Sequence, residues 1–99
     1  MLYNVHILYL SGCRNITNIS SLKNIHTLSL YHCNRIKDVV PLCNVHTLNL
    51  SYCNEIIDVS ALSNVYNLDL SCCNNLTDVS MLGNVHILNL YGCYKITDV

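Results

Sequence analysis

Three side-chain types in this chain recur at a spacing that could support chemistry. Cys13, Cys33, Cys53, Cys73 and Cys93 fall twenty residues apart without a slip, and Cys43 and Cys72 bring the total to seven. Thiols at regular spacing can serve as nucleophiles, metal ligands or disulfide partners. His6, His26, His46 and His86 share the same period, with Tyr66 in the fifth place. Imidazoles one coil apart, set ~5 Å from each other by strand spacing, could share a metal ion or form a pH-sensitive row. Asp38, Asp58, Asp78 and Asp98 make the third series, with Asn18 in the first repeat.

Each series has a structural reading that weighs more than the chemical one. Zinc sites need close ligand pairs such as C-x2-C, and that spacing does not occur. A periodic cysteine is better read as a small buried group whose weak S–H donor reaches loop carbonyls. The cysteine total is odd and five members are locked to the repeat, so a secreted disulfide framework is not expected. A reducing, intracellular setting follows, with Cys43 and Cys72 as the more accessible thiols. The histidine row lacks a thiol or carboxylate series beside it to complete a metal site. It reads more simply as half-exposed rings covering the leucines beneath, so metal binding at His6, His26, His46 and His86 is the weaker alternative and no cofactor is expected. The aspartates suit turn caps. No G-x-S-x-G, H-E-x-x-H or glycine-rich phosphate loop is present, and no isolated acid pair suggests general acid–base work, so a non-enzymatic role is expected.

The elements that carry these residues follow from the same period. Leu2 to Leu82, Val5 to Val85, Leu8 to Leu88, Leu10 to Leu90, Ile16 to Ile96 and Ile19 to Val99 add six apolar columns to the cysteines, all at twenty-residue spacing. Seven inward positions in twenty residues describe one coil of a solenoid, buried only by its neighbours. The alternation around Leu48-x-Leu50 predicts a short parallel strand per coil. Too few residues remain for a multi-turn helix, so the opposite side should be 3₁₀ or turn. Pro41 falls just after one such turn. Asn4, Asn24, Asn44, Asn64 and Asn84 are expected to form a turn-stabilising ladder of side-chain amides.

The motif Val45-x-x-Leu48-x-Leu50-x-x-Cys53 resembles the leucine-rich-repeat family, and the resemblance covers the whole chain. Cysteine at the last motif position resembles repeats of ubiquitin-ligase substrate-recognition subunits. The stretch Leu76-Thr77-Asp78-Val79-Ser80-Met81-Leu82 is similar to the short repeats of bacterial internalins, and Asn-Val-His-x-Leu-x-Leu to arrays encoded by giant DNA viruses. The resemblance implies a right-handed superhelix of five coils, with a parallel β-sheet on the concave side, 3₁₀ or turn segments on the convex side and little or no α-helix. One domain over 1–99 is expected, with repeats at about 2–21, 22–41, 42–61, 62–81 and 82–99 and no obvious caps.

Composition narrows the partner. The chain is 52% hydrophobic and 11% charged, with five basic and six acidic residues, so neither nucleic acid nor an anionic membrane is an expected partner. The first ten residues lack a basic segment and a cleavage site, so no secretory signal is expected. The expected location is the cytoplasm, that of the host cell if the chain is viral. Variation on one face of a uniform solenoid marks recognition. The outward strand and post-strand positions are Ile7, Thr27, Thr47, Asn67 and Ile87; Tyr9, Ser29, Asn49, Asp69 and Asn89; Ser11, Tyr31, Ser51, Ser71 and Tyr91; and Gly12, His32, Tyr52, Cys72 and Gly92. This face has one formal charge, Asp69, and four tyrosines, which suits a protein partner. Tyr31, His32 and Tyr52 are the expected hot spot, within a candidate surface of Tyr9, Thr27, Tyr31, His32, Thr47, Asn49, Tyr52, Asn67, Asp69, Asn89 and Tyr91. The alternative is a structural piece of a longer array, or a unit that self-associates through uncapped ends.

Overall fold

The computed structural model describes residues 6–97. Leu2, Asn4, Val5, Asp98 and Val99, which the repeat assigns to its columns, lie outside the described residues. Five strands form one parallel sheet in chain order: β1 (Ile7–Ser11), β2 (Thr27–Tyr31), β3 (Thr47–Asn49), β4 (Asn67–Asp69) and β5 (Ile87–Asn89). The register repeats the twenty-residue period, pairing Leu8 with Leu28, Leu28 with Leu48, Leu48 with Leu68 and Leu68 with Leu88. Each connection passes through a three-residue 3₁₀ segment, at Ser20–Leu22, Val40–Leu42, Ser60–Leu62 and Ser80–Leu82. This is the expected solenoid: a sheet on one side, 3₁₀ turns on the other, and no α-helix among the described residues.

The core is a set of aliphatic ladders between these two sides. Leu28, Leu48 and Leu68 are buried, as are Leu30, Leu50 and Leu70, and Ile36, Ile56 and Leu76. Each such side chain contributes roughly 1.5–3 kcal/mol of burial. The outer coils are less covered: Leu8, Leu10, Leu88 and Leu90 are only partly buried against the core. Cysteine completes the packing where the chain leaves the strand. Cys53 Sγ donates to Leu30 O at 3.2 Å, Cys73 Sγ to Leu50 O at 3.1 Å and Cys93 Sγ to Leu70 O at 2.9 Å. All seven cysteines are free thiols, and Cys13, Cys43, Cys72 and Cys93 are partly exposed.

The aspartates stabilise the 3₁₀ side from just ahead of it. Oδ1 of Asp38, Asp58 and Asp78 accepts the N–H of Val40, Ser60 and Ser80 at 2.8–3.0 Å, and Asn18 does the same for Ser20. These bonds span two residues, the geometry of an Asx turn. They hold Asp58 and Asp78 below the usual carboxylate range, chiefly through the backbone N–H of Ser60 and Ser80. Pro41 sits inside its 3₁₀ segment rather than after it, at a position where a missing N–H is tolerated.

The Asn ladder needs correction. Asn24, Asn44, Asn64 and Asn84 are exposed, and none makes a side-chain hydrogen bond among the described residues. Backbone bonds close their turns instead, from Ile25, Val45, Val65 and Val85 N–H to the carbonyls of Leu22, Leu42, Leu62 and Leu82, which leaves the amides to water. An inter-coil amide contact occurs elsewhere, where Asn75 Nδ2 donates to Asn54 O at 2.7 Å.

Candidate functional site: the sheet face and its exit turns

The sheet positions its outward side chains by the pleat, since alternate residues of a strand point to opposite faces. Leu48 is buried while Thr47 and Asn49 on either side of it are partly exposed, and β4 repeats the pattern with Asn67, Leu68 and Asp69. A groove of about 310 Å³ runs across this face, lined by Tyr9, Thr27, Thr47, Asn49, Asn67 and Asp69 among others. Six of the sequence-derived surface residues therefore meet in one concavity. A cleft of similar size lies on the far side of the solenoid against Asp58, Ser60 and Asp78. None of the sequence-derived surface residues lines it, so it is the weaker candidate.

The strands of the last three coils stop early for a local reason. Asn49, Asp69 and Asn89 each fold Oδ1 onto the N–H two residues ahead, of Ser51 at 2.8 Å, Ser71 at 2.9 Å and Tyr91 at 2.9 Å. Those N–H groups are thereby withdrawn from the neighbouring strand. In the first two coils Tyr9 and Ser29 occupy this position, and β1 and β2 run two residues longer. Inter-coil bonding resumes one residue on, with His32 N to Ser51 O at 2.9 Å, Tyr52 N to Ser71 O at 3.0 Å and Cys72 N to Tyr91 O at 2.7 Å.

The exit turn is closed by the N–H of Cys33, Cys53 and Cys73 on the carbonyls of Leu30, Leu50 and Leu70. Its third residue has positive φ in every coil: Gly12 at 65°, His32 at 59°, Tyr52 at 63°, Cys72 at 58° and Gly92 at 76°. A turn with positive φ at that place favours glycine, and the outer coils use it. The three central coils carry His, Tyr and Cys there, in a region where an L-residue is disfavoured by roughly 1–2 kcal/mol.

Those side chains gather. The rings of Tyr31 and Tyr52 lie 5.5 Å apart, His32 and Tyr52 5.8 Å, and Tyr31 and His32 6.1 Å, all edge to face. The expected hot spot is thus one contiguous aromatic cluster, with Tyr31 and Tyr52 about 40% exposed. The Cys72 thiol beside Tyr52 pushes its phenol above the ordinary value. Asn89 and Tyr91 are exposed on the fifth coil, outside both the groove lining and this cluster. Ser51, counted on the outward face, is buried; its hydroxyl turns back to donate to Asn49 Oδ1 at 2.7 Å.

From His26 onward the histidine row is a ring stack at the start of the strands, and His6 makes no stacking contact among the described residues. His26 and His46 stack at 4.5 Å, His46 and Tyr66 at 4.9 Å, and Tyr66 and His86 at 4.5 Å, within 18° of parallel. Nδ1 of His26 and of His46 is hydrogen-bonded to the next threonine hydroxyl at 2.9 Å. Among the described residues no group of three or more His, Cys, Asp or Glu is placed to hold a metal ion. No described helix is long and apolar enough to cross a membrane. The left-handed exit turn and the Asx caps of β3–β5 were missed from sequence. The glycines at 12 and 92, one at each end of a single column, were the available signal. No family model matches this chain, and no curated protein and no solved structure matches it either.

Proposed function

We propose that the chain is a member of the leucine-rich-repeat family that binds a protein partner on its sheet face, in a reducing compartment, and that it recognises rather than catalyses. One observation carries this reading: the central coils place His32, Tyr52 and Cys72 where the outer coils have glycine. The turn gains nothing from a side chain at positive φ. Strain retained against an available alternative points to a role for the side chains themselves. Two of the three join Tyr31 in an exposed aromatic cluster beside the groove, the kind of surface that anchors protein interfaces. The free thiols, four of them partly exposed, favour the reducing compartment.

The test is a lysate pull-down with the wild-type chain and a Tyr31→Ala/Tyr52→Ala variant, after circular dichroism has shown both to be equally folded. A partner retained by the wild type and lost by the variant is the expected result. Identical captured sets would remove the sheet face as the binding surface.

A further inference from the structure

The groove contains a carboxylate that its fold does not require. Asp69 Oδ1 caps the exit turn through Ser71 N, and one coil to either side Asn49 and Asn89 make the same bond with a neutral amide, at 2.8 and 2.9 Å against 2.9 Å. The turn therefore needs an Asx oxygen and not a charge. The second carboxylate oxygen of Asp69 keeps its acceptor capacity, and no cation answers it: the one ion pair among the described residues joins Lys37 to Glu55. Arg14, Lys23, Arg35, Lys37 and Lys95 all lie outside the strands. The sheet face thus carries one carboxylate and no lysine or arginine, and Asp69 shares its groove with Asn49, Asn67, Thr47 and the exposed ring of Tyr9.

We infer that the partner inserts an arginine side chain into this groove, with its guanidinium on Asp69. The inference rests on the sheet face being the binding surface. A guanidinium carries donors in a planar fork, which matches a carboxylate whose second oxygen is left without a partner. A lysine ammonium is a compact, strongly hydrated point charge and lacks that planar fork. Charge complementarity selects this occupant over an acidic or apolar segment, either of which would bury Asp69 unpaired.

The experiment is a titration of the ¹⁵N-labelled chain with the peptide acetyl-Gly-Ser-Arg-Ser-Gly-amide, followed by amide chemical shifts. Parallel titrations use the peptides with lysine or with citrulline, the neutral isostere, in place of arginine. The expected result is a saturable shift at Asp69, Ser71 and Asn49 with the arginine peptide, weaker with lysine and absent with citrulline. Asp69→Asn should weaken binding about fivefold or more, in line with loss of a charge-assisted bond, and should leave the rest of the spectrum in place, since asparagine already caps the adjacent turns. No localised shift, an equal shift with citrulline, or an unchanged affinity in the variant would overturn the inference. If that happens while the Tyr31/Tyr52 pair still governs capture of a partner, the arginine site falls and the binding surface stands. Failure of both removes the surface itself.

Discussion

A thiol is small enough to stand in an aliphatic column and still donate a hydrogen bond, and the buried cysteines do both. Desolvation pushes Cys53 and Cys73 up to about 12, outweighing the bonds that would lower them. The folded thiols thus keep their protons at pH values where the unfolded chain, at the ordinary 9.0, has lost them. Stability from this source is fully present below pH 9.0 and is lost as pH rises through the folded value. Urea midpoints should therefore decline above that point, and a Cys53→Ala/Cys73→Ala variant, though less stable throughout, should decline less steeply. Equal slopes would assign the alkaline limb to other groups. The acid limb has the opposite sign. Asp58 and Asp78 are held below 3.8, so their contribution is present above that value and lost as pH falls through the lower, folded one. Asp58→Asn should keep the cap, as Asn18 does, while flattening the acid limb; Asp58→Ala should lose the cap and lower the urea midpoint at neutral pH. Burial of the cysteine column was legible from the period alone. The carbonyl that each thiol meets was not, because it belongs to the previous coil and depends on how closely the coils stack.

At the scale of the element, the exit turn sets the balance between stability and surface chemistry. Its third residue must adopt positive φ, so side chains there are tolerated only where the turn is held from both sides. Gly12 has open space at its missing Cβ, whereas a Cβ on Gly92 would approach Cys72 Sγ to 2.8 Å. Gly12→Ala should therefore lose only the conformational preference, about 1–2 kcal/mol. Gly92→Ala should lose more, because the contact adds to it, and replacing Cys72 with alanine should narrow the gap. The reverse exchange separates folding from function: His32→Gly is expected to unfold at no lower urea concentration than the wild type while weakening partner capture. A variant that bound fully would show the left-handed histidine to be incidental. The strands and the 3₁₀ segments were readable in the sequence because alternation and repeat length dictate them. The turn was not, because its five residues look like an ordinary variable surface column until the backbone is seen. The Asn residues after the 3₁₀ segments misled in the other direction, since backbone bonds had already closed those turns.

For the whole molecule, each coil can bury its leucines only against its neighbours, so stability should be distributed along the stack rather than held in one centre. Leu48 is sealed between β2 and β4, while Leu8 and Leu88 are only partly covered. Leu48→Ala should therefore cost about 2–5 kcal/mol, the range for a buried leucine, and Leu8→Ala distinctly less. Hydrogen exchange provides the sharper test, because it resolves the gradient within one sample. Amides of Leu50 and Leu70, which donate to the next coil from inside the stack, should exchange only through global unfolding. Amides of the first and fifth coils should open at lower free energy. The aromatic cluster lies on the second and third coils, and the Asp69 groove runs from Tyr9 on the first coil to the fourth, so both sit mainly on the part of the stack expected to be most protected. A recognition surface there is held in shape before a partner arrives, which lowers the ordering entropy lost on binding. Uniform protection along the chain would instead mean a single cooperative unit, and a mutation in an outer coil would then disturb the central surface as much as one beneath it. Measuring exchange in both the Leu8→Ala and Leu48→Ala variants separates these cases: in a distributed stack, Leu8→Ala leaves the protection of Leu70 close to that of the wild type.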